Sequence, residues 1–439
     1  MAHIAPFKVV HYNGTCAHEL DRLITPPYDV ISIRQQDAFY KAHERNIIRL
    51  VLGRQYPGDT DADNRYTRAA STLHDWLDAG VLVRRDRPGL VIYQMEFGLP
   101  DGGRQTIDGI VALVEVDDYG KGKVLPHEKT YKGPKQDQLN LLRACRTHLT
   151  PIHALFSDKE HAVINVYRAF MQNPPQQQAV DADGTVHRTW VIEDEAAIRQ
   201  ICEHLRDKSL FIADGHHRYE TALALKRELR GGTTGASEGA RYVMAYLTST
   251  SHPGLTILSA HRMLRGVSDL NIGRFLERLA PYFEIEHRDF QEPDRQTAAL
   301  QLMSSISAGS TRPGTFALVV HGEAGFWLLK LKSFEAIDPL IDAQVPPALR
   351  ELDVTILGEV IIGYGVEFDK EDPDAKIEYN PSVQEVFDRV SDGEVDLAVV
   401  LNPTRVEQVE TAAELGHKLP HKSTYFYPKI ASGLVLNVF

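Results

Sequence analysis

The chain has 439 residues, 43% hydrophobic and 25% charged, and a net charge of -12 from 48 basic and 60 acidic residues. That apolar content suffices for a sizeable core and the length for about two or three domains, whereas an acidic surface repels nucleic-acid phosphates and argues against DNA or RNA as a partner. Cys16, Cys145 and Cys202 form no CxxC pair, no basic stretch followed by an apolar one opens the chain, and no window approaches about eighteen consecutive apolar residues; these features exclude a disulfide framework and a cysteine zinc site, and predict a cytoplasmic protein that neither enters nor crosses a membrane.

Apolar runs predict strands over Leu90–Met95, Ile110–Val116, Ile152–Phe156, Ser209–Ala213, Tyr242–Leu247, Phe316–Val320, Phe326–Leu331 and Val395–Leu401. Helical spacing predicts helices over Tyr66–Ala79, Gln136–His148 and His217–Arg230, the first stopped by Gly80 and the last by Gly231-Gly232. The polar run Gly231–Gly239 reads as a surface loop. Strands alternating with helices indicate an α/β or α+β class. Residues 1–267 are assigned to a main domain. Residues 268–335, with helices at each end of a strand and a hairpin turning at His321–Gly325, form a small α+β subdomain, and 336–439 return to the main domain.

The strongest chemical signal lies between the strand Ser209–Ala213 and the helix that follows. Gly215 permits a tight turn and close approach of a ligand to the backbone. The first N–H groups of a helix lack internal partners and sit at the positive end of its dipole, which makes them a natural phosphate site. Asp214, Gly215, His216 and Arg218 are therefore candidate phosphate-binding residues, with the Arg218 fork directed at phosphate oxygens. His217 is a candidate proton-transfer group near neutral pH. The competing reading makes Asp214 a helix N-cap.

Three further clusters are polar. Thr25-Pro26-Pro27-Tyr28-Asp29-Val30 is a rigid turn carrying the carboxylate of Asp29, or a plain structural loop. Pro126–Gly133 gathers His127, Glu128, Lys129, Thr130 and Lys132 in a setting suited to phosphate contact or to a solvated loop. Pro420–Lys429 is aromatic and basic, with Lys422, Ser423 and Thr424 as candidate phosphate ligands, or a docked C-terminal tail.

The order PPYDV, HEKTY, DGHHRYETA, NPT and KSTYFYPK, at Pro26–Val30, His127–Tyr131, Asp214–Ala222, Asn402–Thr404 and Lys422–Lys429, resembles the domain-of-unknown-function 1015 family over nearly the whole chain. The Gly215/Arg218 turn is similar to the phosphate-binding Gly-x-x-Arg turn of the ParB/sulfiredoxin superfamily, which includes free-serine kinases. That resemblance implies a ParB/sulfiredoxin-like mixed core. The association of relatives with serine-biosynthesis genes implies small-molecule phosphotransfer. One departure stands out: in Leu352–Glu359 the family pattern implies a histidine where this chain has Gly358.

Two function classes follow. The first is a nucleotide-dependent phosphotransferase or phosphohydrolase acting on a small molecule, in the manner of a serine kinase. Arg218, Lys129, the amides after Gly215 and Lys422 would hold phosphate, while Glu128 or Asp29 would be the base, with His217 competing for that role. Such chemistry implies Mg2+ with the nucleotide. No Walker loop is present, so an ordinary P-loop enzyme is excluded. The second class is a nucleotide or metabolite sensor without turnover. A metal hydrolase using Asp214, His216 and His127 is a third reading, weakened because the adjacent histidines His216 and His217 do not give the His-x-x-x-His helical pair.

Overall fold

The computed structural model describes residues 3–100, 102–119, 122–128, 132–229, 238–267, 271–290, 294–308, 313–366 and 377–439. The chain divides into two compact units, residues 1–256 with 428–439, and residues 257–427. The expected small subdomain is thus one part of a larger second unit, and the return to the first unit is confined to the last twelve residues. The reason is strand pairing: Leu397–Leu401 and Ile377–Asn380 both pair with His261–Leu264, which ties 377–401 to the second unit.

The first unit is built on a mixed sheet. Its described strands are β1 (Ile4–Ala5), β2 (Leu90–Gly98), β3 (Arg104–Glu115), β4 (Val124–Leu125), β5 (Ile152–Phe156), β6 (Gln177–Val180), β7 (Val186–Ile192), β8 (Leu210–Asp214) and β9 (Tyr242–Ser249). They lie in the order β4-β8-β5-β9-β3-β2-β7-β6, with β1 beside β3. β8 runs parallel to β4 and antiparallel to β5, so two chain directions meet at the end of β8.

Period-2 burial explains the sheet. Ile92, Ile110, Ile152, Ile212 and Ala245 face one core, against Ile201 and Leu205 of the helix Glu195–Arg206 and Tyr219, Ala222 and Leu225 of the helix His216–Glu228. The alternate residues of the sheet include Tyr93, His153 and Tyr246 on these strands and His187 on β7, all buried. Over this second face runs the C-terminal segment, whose Ala431 N–H donates to the Tyr93 hydroxyl at 3.2 Å. Ser432 and Leu436 bridge to Thr25 and Val10 near the N-terminus.

The predicted strands are present. The helix expected to reach His148 ends at Cys145, because Arg146 takes a left-handed φ of 47° and Thr147–His148 then pair with Asn437–Val438. The predicted loop 231–239 lies almost wholly outside the described residues.

The second unit is an antiparallel sheet with helices packed on it. Its described strands are β10 (His261–Leu264), β11 (Phe283–Arg288), β12 (Thr315–Val320), β13 (Phe326–Leu331), β14 (Ile377–Asn380) and β15 (Leu397–Leu401), ordered β11-β13-β12-β15-β10-β14. The helices Arg295–Ser307 and Val383–Ser391 seal one face through Leu302, Ile306, Val386 and Val390. Leu357–Val366 forms a π-helix. A side chain at Gly358 would point into open space, so the histidine of the family pattern meets no steric bar here. Among the described residues, no helix is long and apolar enough to cross a membrane.

Candidate phosphate site at the end of a sheet strand

β8 delivers Asp214 to the sheet end, and the helix His216–Glu228 starts two residues later. Gly215 occupies the N-cap with φ 89°, a left-handed conformation that strains any residue with a Cβ. A Cβ there would also lie 2.9 Å from the Ile152 side chain and 3.0–3.1 Å from the Arg218 guanidinium. Glycine is therefore required twice, by the turn and by the arginine folded over it. Gly215 offers no side chain to cap this helix, in contrast to Asn64 and Asp194, which cap the helices Arg65–Asp78 and Glu195–Arg206.

Asp214 is not a capping residue. Its Oδ2 accepts from Arg218 Nη2 at 2.7 Å and its Oδ1 from Lys429 Nζ at 2.8 Å. The three side chains are only 10–18% exposed. Burial opposes the charged carboxylate, but Lys429 and Arg218 outweigh it and hold the pKa of Asp214 well below the ordinary carboxylate range. The cluster carries one net positive charge. Arg218 Nη1 donates to the Pro151 carbonyl, so two of its nitrogens serve internal partners. These two bonds brace the turn, and the two-pronged phosphate contact expected from the sequence would draw on the same guanidinium.

Behind this cluster stands His153, the Cα partner of Asp214 across β5 and β8. Its Nε2 lies 2.8 Å from Thr248 Oγ1, and burial depresses its pKa to about 3. On the other side, the His127 backbone N–H donates to His216 Nε2 at 3.3 Å and the two rings meet edge to face at 4.8 Å. Burial lowers the His127 pKa to about 4, so its ring is neutral. This pairing anchors the loop after β4 beside the helix start and carries the half-buried Glu128 with it. Lys129 and Thr130 lie outside the described residues.

Tyr28 supplies the third wall. It belongs to the short turn Tyr28–Val30, and burial, then Asp29, raises its phenol pKa while Arg218 opposes the rise. Asp29 itself is exposed and His217 half-buried. Tyr28, Gln138, His148, Thr150, Arg218 and Thr221 line a cavity of about 40 Å3, and the buried Nε2 of His148 has no hydrogen-bond partner among the described residues. A water needs roughly 10–15 Å3, so this space takes solvent and is too small for a nucleotide.

Lys422, Ser423 and Thr424 fall in the second unit. Lys422 is exposed at φ 54°, Ser423 Oγ donates to the Pro420 carbonyl at 2.6 Å, and Thr424 is buried. Lys429, seven residues on, is the lysine that reaches Asp214. Sequence reading passed over Lys429, His153 and Tyr28; only the presence of Tyr28 and Lys429 within the PPYD and KSTYFYPK motifs hinted at them.

The metal reading does not fit this geometry. The Asp214 carboxylate is already neutralised by two cations and His216 Nε2 accepts from a backbone N–H. Among the described residues, no group of three or more His, Cys, Asp or Glu could hold a metal ion.

The model of a family described as "Protein of unknown function (DUF1015)" matches residues 4–355. The chain belongs to the DUF1015 family. Three of the solved structures to which the DUF1015 chain is similar are a mutant free serine kinase in complex with AMP, a conserved hypothetical protein from Pyrococcus furiosus, and a C-terminally truncated SbnI from Staphylococcus aureus. Their identities to it are 12%, 13% and 12%, and their TM-scores 0.35, 0.34 and 0.36. The matches cover 71%, 72% and 75% of this chain and 89%, 92% and 87% of the others. No functionally curated protein matches the DUF1015 chain at a significant level.

Proposed function

We propose that the protein binds a nucleotide through its phosphates at the Gly215 turn and transfers or hydrolyses a phosphoryl group, with a small molecule as acceptor. The observation that carries this reading is the helix start at His216: a positive-φ glycine at the N-cap and a net positive Asp214–Arg218–Lys429 cluster beside it. The N–H groups that open a helix and the positive end of its dipole favour an anion there. The same groups stabilise charge that develops on phosphoryl oxygens during transfer.

In this reading Arg218 and Lys429 are positioning residues that fix Asp214 and the turn. Glu128, held near the helix start by its neighbour His127, is the base that orients the acceptor hydroxyl, and Lys129 and Thr130 add phosphate contacts. A magnesium ion brought by the nucleotide would supply neutralisation of the phosphate charge. The test is a screen of nucleotides against amino acids and small alcohols, read by phosphorus NMR. A new phosphoester signal, or phosphate release, that is lost in Glu128→Gln supports the proposal. Nucleotide binding without consumption would make the protein a sensor instead.

A further inference from the structure

The second unit has a cavity of its own, of about 230 Å3, lined by Asp353, Asn402, Thr404, Arg405 and Gln408. Two motifs far apart in sequence meet here: the NPT run Asn402–Thr404 and the LDVTILGE run that contains Asp353. Asp353 is half-buried and its Oδ1 accepts the Gly314 N–H at 2.6 Å, which leaves further lone pairs on the carboxylate. Burial raises its pKa to about 6, and Arg405 opposes that rise through space. The exposed Arg405 supplies the opposite charge at the same cavity. Asn402 spends an amide N–H on the Ile306 carbonyl at 3.3 Å, and Gln408 spends its carbonyl on the Arg405 N–H at 2.9 Å. An acceptor on Asn402 and donors on Gln408 therefore remain. The volume is below the ~300–1,000 Å3 of drug-sized sites.

We propose that this cavity binds a small amphoteric metabolite of the α-amino-acid class, with its ammonium toward Asp353 and its carboxylate toward Arg405. The chemistry is complementary at both ends. An ammonium compensates a carboxylate that burial leaves costly to ionise, and a guanidinium at the mouth pairs a carboxylate in fork geometry.

Saturation-transfer NMR on the full chain, with each proteinogenic L-amino acid in turn, finds the binders. Calorimetry then measures the tightest one on wild type, Asp353→Asn, Arg405→Met and Gly215→Ala, with circular dichroism as the check on folding. We expect Asp353→Asn and Arg405→Met each to weaken binding about ten- to a hundredfold. The corresponding amine without its carboxylate, and the acid without its amine, should each bind more weakly than the amino acid. Because Arg405 is exposed, its replacement tests the site even where Asp353→Asn disturbs the fold. No amino-acid binding in the millimolar range, or an affinity lowered by Gly215→Ala but by neither cavity variant, overturns the proposal. The phosphate site is read separately, by nucleotide, so each of the two readings can fail without the other.

Discussion

Gly215→Ala is expected to cost stability through both the left-handed φ and the contacts with Ile152 and Arg218. The strain alone is worth about 1–3 kcal/mol, and thermal unfolding reads it directly. Lys429→Met leaves Asp214 with one cation instead of two, and for a pair shielded but not sealed from water the loss should be on the order of 2–4 kcal/mol. The exposed Lys422→Met should change stability by less than about 0.5 kcal/mol. Equal effects of the two lysine variants would place the important cation wrongly. Because the Asp214 pKa is lowered in the folded state, its contribution is present above the unfolded pKa of about 3.9 and is lost as pH falls toward the folded value. Asp353 has the opposite sign. Its folded pKa of about 6 lies above the unfolded one, so its stabilising effect is full below about pH 4 and lost as pH rises through 6. Asp353→Asn should therefore raise the melting temperature at neutral pH relative to wild type and lose that advantage in acid.

At the scale of elements, the turn between β8 and its helix was legible in the sequence because every signal there is local: an apolar run, a glycine, then helical spacing. The partners of Asp214 were not. Arg218 was visible four residues away, but Lys429 reaches the site only because Ser432 and Leu436 pair with Thr25 and Val10, and such long-range pairing leaves no periodic trace. The same blindness assigned 336–427 to the first unit, since the pairing of β14 and β15 with β10 is equally non-local. His127 was read as a metal candidate, whereas its burial and its hydrogen bond to His216 make it a neutral brace. The C-terminal segment yields a prediction of its own. Removing Pro428–Phe439 deletes the Lys429 ion pair and uncovers Tyr93, so hydrogen exchange of β8 and β2 amides should accelerate toward global-unfolding rates. Unchanged protection in the truncated chain would show that the segment merely lies on the surface.

For the molecule as a whole, acid lability follows from its buried histidines. His127, His148, His153 and His261 are neutral in the folded state, with pKa values depressed by burial to about 4, 3, 3 and 3. The unfolded chain takes up protons near pH 6.5 and the folded chain does not, so stability falls as pH drops below about 6.5 and keeps falling to about 3–4. Each histidine contributes up to about 1.4 kcal/mol per pH unit across that window. A melting temperature flat from pH 7 to 4.5 would contradict the neutral, buried assignment.

In the proposed function, phosphate sits on the backbone amides at the start of the helix His216–Glu228. The most direct test is a nucleotide titration of protein labelled with nitrogen-15 in histidine only, followed by amide resonances assigned with single His216 and His217 variants. The account predicts that the His216 and His217 amides shift saturably with ADP, and that Gly215→Ala abolishes the shift while the protein remains folded. Absence of binding, or saturable binding of ADP that leaves both amides unmoved, would contradict it.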